Sequence, residues 1–164
     1  MIEITNDDIK QLSDEELREL IGLLCEAELR SLGLSTAGVT WGGDQNAKDG
    51  GVDVREEGFI PRTTTIFQVK RTNMSASSIM NEMRPKGKLR ETISQLADVD
   101  GAYIIVCSKN STSDQMFQDR KNAMREALVD HPGTSRIKVD FYDSNRIASW
   151  VRNHPSMILW VKDK

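Results

Sequence analysis

Apolar positions define the first element. Leu17, Leu20, Ile21 and Leu24 recur at helical spacing and the pattern runs on to Leu32, which predicts an amphipathic helix. Ser13 followed by Glu16 has the form of a capping box at its start, and Gly33 marks its end. Counting about 100° per residue from Leu17, Glu28 falls about 20° away, inside the apolar stripe, and Glu26 about 180° away, on a solvated surface. A carboxylate inside the stripe requires a partner, a proton or a metal, because burying it alone is costly. A shift of two residues in the helix boundary exchanges the two acids, so the helix acid is Glu28 or, on the shifted phase, Glu26.

The period then changes. An irregular Gly-rich segment, Trp41-Gly42-Gly43-Asp44 to Asp49-Gly50-Gly51, leads into a short strand near Val52 to Arg55. Arg55 to Arg62 reads as a hairpin connection, and Thr63 to Lys70 is rich in β-branched residues, so the two strands are expected to be antiparallel neighbours. On an alternating strand Gln68 and Lys70 emerge on one, polar face while Phe67 and Val69 face a core. Helices are predicted over Ser75 to Met83, Lys88 to Leu96 and Asp114 to Val129, and strands over Ala102 to Cys107 and Ile137 to Tyr142. Ser144 is the expected cap of a helix from Arg146 to Val151; His154-Pro155 interrupts it before a last helix from Ser156 to Val161. This order of helix, strands, then alternating helix and strand predicts an α/β class with a central mixed β-sheet flanked by helices.

Composition narrows the class without naming a function. A chain of 164 residues with 38% apolar and 29% charged residues fits one soluble domain, residues 1–164. No apolar run approaches a membrane span, and the first residues lack the pattern of a signal peptide, so a cytoplasmic protein with no membrane partner is expected. Cys25 and Cys107 are too few for a disulfide framework and read as two buried thiols. A net charge of −3 gives no global nucleic-acid footprint. Distribution changes that picture: between Arg62 and Arg90 the bases Arg62, Lys70, Arg71, Arg84, Lys86, Lys88 and Arg90 face the lone acid Glu82. Arg71, Arg84, Lys86, Lys88 and Arg90 are therefore candidate phosphate contacts, although such runs are commonly only solvated faces.

Four side chains have a joint chemical reading: Glu28, Asp53, Gln68 and Lys70. Cleaving a phosphodiester requires neutralising charge on the phosphate and a water made nucleophilic near neutral pH. Mg²⁺ held by carboxylate and amide oxygens meets both needs, with Mn²⁺ as a substitute. Asp53, Gln68, Glu28 and the main-chain carbonyl of Val69 are the candidate ligands, and Lys70 the group that orients water or stabilises the phosphate. Gln68 stands where many such sites carry a third carboxylate, which weakens the hold on the metal and makes it dependent on DNA. Asp44 and Asp49 fit turn formation better than catalysis. His131 and His154 sit beside Pro132 and Pro155 and receive no catalytic task.

The order Glu28, Asp53, Gln68-Val69-Lys70 resembles the PD-(D/E)xK nuclease superfamily in its Mrr-like Gln-x-Lys version, over roughly Leu17 to Cys107. The resemblance implies a restriction-endonuclease-like fold, metal binding by the helix acid, Asp53 and Gln68, and assistance to the attacking water by Lys70. No Pro precedes Asp53, and Gln68 replaces the acid. Ala27-Glu28 before Leu32-Gly33, the Asp49-to-Asp53 segment and the ending Trp150 to Pro155 with Trp160 resemble the N-terminal nuclease domains of bacterial antiphage effectors. Such a domain would be joined to a C-terminal sensor, a STAND-type NTPase or a cyclic-nucleotide-binding domain, and would self-associate through it. The expected activity is a Mg²⁺-dependent endodeoxyribonuclease acting on double-stranded DNA with little sequence preference. The rivals are a non-catalytic DNA- or protein-binding domain of the same fold, and a small interaction domain in which Gln68 and Lys70 are surface polar residues.

Overall fold

The computed structural model describes residues 2–41, 53–58, 63–109, 112–129 and 131–164. Ser13 accepts the Glu16 N–H, and Glu16 returns a bond to the Ser13 N–H, so the capping box starts helix α2 (Asp14–Ser31) as expected. Before it lies a short helix α1 (Asn6–Lys10), capped at Thr5, which the hydrophobic pattern does not announce. Strand β1 (Val39–Trp41) is likewise new; β2 (Val54–Glu57) and β3 (Thr64–Lys70) follow. Arg55 lies in β2 as expected, and Glu56 and Glu57 belong to it too instead of to the expected connection, because they continue its pairing with Thr65 and Thr64.

Helix α3 (Ala76–Met83) starts on a Ser75 cap and is followed by a 3₁₀ turn, Pro85–Gly87. The next predicted helix is shorter than its pattern: α4 covers only Glu91–Ser94 and tightens into a 3₁₀ segment, Gln95–Val99. Strand β4 (Ala102–Cys107), helix α5 (Asp114–Ala127) and strand β5 (Lys138–Tyr142) lie where periodicity places them. Helix α6 (Ser144–Arg152) is capped by Asp143, whose carboxylate accepts the Arg146 N–H, so Ser144 is the first helical residue and not the cap. Helix α7 (Pro155–Lys162) begins after the His154 break.

The strands form one sheet in the order β1-β2-β3-β4-β5. The β1–β2 and β2–β3 pairs are antiparallel and the β3–β4 and β4–β5 pairs parallel, so this is an α/β fold with a mixed sheet. Helices cover both faces, an arrangement compatible with a restriction-endonuclease-like architecture. On one face Val54, Phe67, Ile104 and Val106 meet the apolar sides of α2, α6 and α7. On the other, Ile66, Tyr103, Ile105 and Cys107 meet α3, α4 and α5. Both thiols are buried, as expected. No helix among the described residues is long and apolar enough to cross a membrane.

Helix α2 reaches the sheet edge through Gly22. A Cβ built there would lie 2.3 Å from ring atoms of Trp41 on β1, so the glycine is required by close approach. Gly22→Ala gains about 1 kcal/mol of helix propensity but forces overpacking that costs about 1–3 kcal/mol. The expected outcome is a net loss of stability in urea denaturation; a gain of the full propensity difference would show that the Gly22–Trp41 contact does not exist.

Candidate functional site

Strand β3 organises the site because each of its faces is covered. Thr64, Ile66, Gln68 and Lys70 alternate with Thr65, Phe67 and Val69. Phe67 belongs to the core under α2 and Ile66 to the core under α3, so Gln68 and Lys70 lie on the α3 side. The face expected to be polar is therefore itself covered: Gln68 is only 4% exposed, and its Oε1 is buried with no hydrogen-bond partner among the described residues.

Asp53 sits where the regular β2–β3 pairing stops. Its N–H donates to the Phe67 carbonyl at 3.1 Å, and its Oδ2 accepts the Val69 N–H at 2.7 Å, so it is tied to β3 on both sides of Gln68. Because the N–H and C=O of one strand residue point the same way, the Val69 carbonyl faces the edge that holds Asp53. Oδ1 of Asp53 lies 3.2 Å from Nε of Arg18, which reaches it from α2.

Lys70 Nζ forms an ion pair with Glu82 Oε2 at 3.1 Å. Glu82, on α3, also takes Arg90 at 3.2 Å through Oε1, while its main-chain carbonyl accepts Arg90 Nε at 2.7 Å. The buried Tyr103 hydroxyl belongs to the same neighbourhood and has no hydrogen-bond partner among the described residues. Its pKa is driven upward, first by burial and then by the charge of Glu82. Asp53, Gln68, Lys70, Glu82 and Tyr103 thus meet around one stretch of β3.

Glu28 is not among them. It is exposed, and its Oε2 accepts the Trp150 Nε1–H at 3.1 Å on the α2 side of the sheet, the face opposite Gln68 and Lys70. Helix phase placed it correctly in angle but not along the axis: the buried residues of α2 end at Cys25, and Leu32 is 66% exposed. Glu26, expected to be solvated, is half-buried and bridges to Arg30 at 3.2 Å. A cleft of about 220 Å³ holds Glu28 with Glu56, Phe67, Tyr142 and Trp150. A larger groove of about 620 Å³, beside Arg125, His131 and Lys138, lies away from Gln68 and Lys70.

The basic residues divide by use. Arg84 ties the end of α3 to the carbonyls of Gly87, Ala127 and Val129, and Arg90 is held by Glu82, so both already make structural contacts. Arg71, Lys86 and Lys88 are exposed. Lys86 has φ of 57°, left-handed backbone that pushes its side chain out at the turn. Asp44, Asp49, Gly50, Gly51, Val52 and Arg62 lie outside the described residues. Among the described residues no group of three or more His, Cys, Asp or Glu side chains is placed to hold a metal ion.

Pattern reasoning passed over Arg18 and Glu82. Arg18 gave no signal, being one base in an acid-rich helix; Glu82 was visible as the lone acid in a basic window, a hint of ion pairing. No family model, curated protein or solved structure matches the chain.

Burial raises the Glu56 carboxyl above its ordinary value of 4.5, with the charge of Glu28 adding to the rise and a hydrogen bond with Cys25 opposing it. The native state therefore keeps a proton that the unfolded chain has already lost, so stability declines as pH rises from the ordinary glutamate range through the raised value. Glu56→Gln is expected to flatten that decline in urea midpoints measured across mildly acidic to neutral pH. An unchanged pH dependence would remove Glu56 as its source.

Proposed function

We propose that the chain is a Mg²⁺-dependent endodeoxyribonuclease of PD-(D/E)xK type acting on double-stranded DNA. The observation that carries this reading is Gln68: a buried amide oxygen without a partner among the described residues, flanked by Asp53 on the β3 edge and by Lys70 on the same face. An unsatisfied buried acceptor costs about 1–3 kcal/mol, and a cation would remove that cost. Asp53, Gln68 Oε1 and the Val69 carbonyl are the residues that would hold the metal. Bound there, Mg²⁺ would neutralise phosphate charge and lower the pKa of a coordinated water. Lys70 presents its ammonium to the phosphate or to the attacking water, and Glu82 fixes its position through the 3.1 Å ion pair. Arg90 in turn fixes Glu82. Glu28 has no part in this arrangement. Exposed Arg71, Lys86 and Lys88 supply sequence-independent attraction for the DNA backbone. One such site cuts one strand, so a double-strand break requires two copies, in keeping with self-association through a fused sensor.

A second reading is a non-catalytic nucleic-acid- or protein-binding domain of the same fold. What favours it is that Asp53 and Lys70 already have charged partners in Arg18 and Glu82. It predicts DNA retention indifferent to EDTA and no cleavage with Mg²⁺ or Mn²⁺.

Plasmid nicking separates the two. Nicked product is expected with Mg²⁺, none with EDTA, and at least about 10²-fold less from Lys70→Ala, the scale of losing one group active in proton transfer or charge stabilisation. Equal conversion in all three reactions would sink the nuclease mechanism.

A further inference from the structure

Arg18 occupies an unusual position. It rises from α2 on one face of the sheet and ends against Asp53, whose carboxylate lies at the end of the β2–β3 pairing. The pair is largely dry, with side chains 17% and 13% exposed. Arg18 Nε is 3.2 Å from Asp53 Oδ1, yet it is a buried nitrogen without a well-aligned hydrogen bond. The contact is thus a charge pairing with imperfect geometry. A guanidinium is satisfied best by two oxygens presented in its plane, as a carboxylate or phosphate can do.

We infer that Arg18 is an exchangeable counter-ion, holding Asp53 while no divalent cation is bound and passing to a phosphodiester oxygen of the nucleic acid when a cation takes Asp53. This rests on the nuclease reading and adds its regulation. A cation on Asp53 sets two positive charges beside the positive charge of Arg18 in a site largely shielded from water, where repulsion is weakly screened. Arg18 then needs another anion, and the phosphate of bound DNA is the one at hand. Metal and DNA consequently assist each other, and because coupling between two ligands is reciprocal, removing Arg18 changes both affinities by the same mechanism. Arg18 is a positioning residue in this scheme: it sets when the metal is held.

Mn²⁺ is the probe, with free ion counted by electron paramagnetic resonance. All proteins carry Lys70→Ala so that a short DNA duplex stays intact, and the same duplex with added Asp53→Asn gives the Mn²⁺ held by DNA alone. The duplex is expected to tighten Mn²⁺ binding to the parent about tenfold or more, within the usual range of coupling between sites. Arg18→Gln is expected to bind Mn²⁺ about tenfold more tightly without DNA and to lose most of the effect of the duplex. Arg18→Lys keeps the charge and is expected to bind Mn²⁺ weakly without DNA, as the parent does; this separates loss of charge from a disturbed helix. Equal Mn²⁺ affinity in parent and Arg18→Gln, with and without duplex, overturns the counter-ion role while leaving the nuclease reading intact. Mn²⁺ binding that Asp53→Asn does not reduce overturns the nuclease reading itself.

Discussion

A strand covered on both faces leaves no neutral position for a polar side chain, and β3 is such a strand. Antiparallel pairing to β2 on one side and parallel pairing to β4 on the other hold it in the sheet, while Phe67 and Ile66 anchor two separate cores. Every residue between them is committed to one layer or the other by the period of two. Gln68 falls on the α3 side, beside the apolar core that Ile66 enters. Its unpartnered oxygen runs against stability and is the strongest pointer to chemistry at this position.

Charge is arranged around that oxygen with three bases on two acids. Arg18 meets Asp53, Lys70 meets Glu82, and Arg90 meets Glu82 again. Because these side chains are between mostly buried and half-buried, leaving any one alone would cost more than an exposed pair contributes. Both carboxylates therefore already hold a cationic partner within the fold.

Local signals carried much of the fold. Ser13, Ser75 and Ser113 each cap the helix that follows, and the β-branched run to Lys70 is a strand, because caps and alternation act over a few residues. Tertiary position was harder to read. Glu28 had the phase of a buried residue, but α2 runs past the part of the core that would cover it, and phase says nothing about where a covering layer ends. Asp143 and Ser144 are both competent caps, and only the geometry of the Arg146 N–H decides between them. The partners of Asp53 and Lys70 lie far away in sequence, on α2 and α3. No spacing rule links Arg18 to Asp53.

Asp53 has a second occupation in the bond from the Val69 N–H to its Oδ2. That bond satisfies a main-chain donor of β3, so the carboxylate has a structural use irrespective of any reaction. A descendant that had lost all chemistry would still be under pressure to keep an acceptor there. Aspartate at this position is thus an ambiguous witness across a lineage, retained by architecture as readily as by catalysis. Gln68 is the more telling marker, because its oxygen has no hydrogen-bond partner among the described residues and so gives the fold nothing in return.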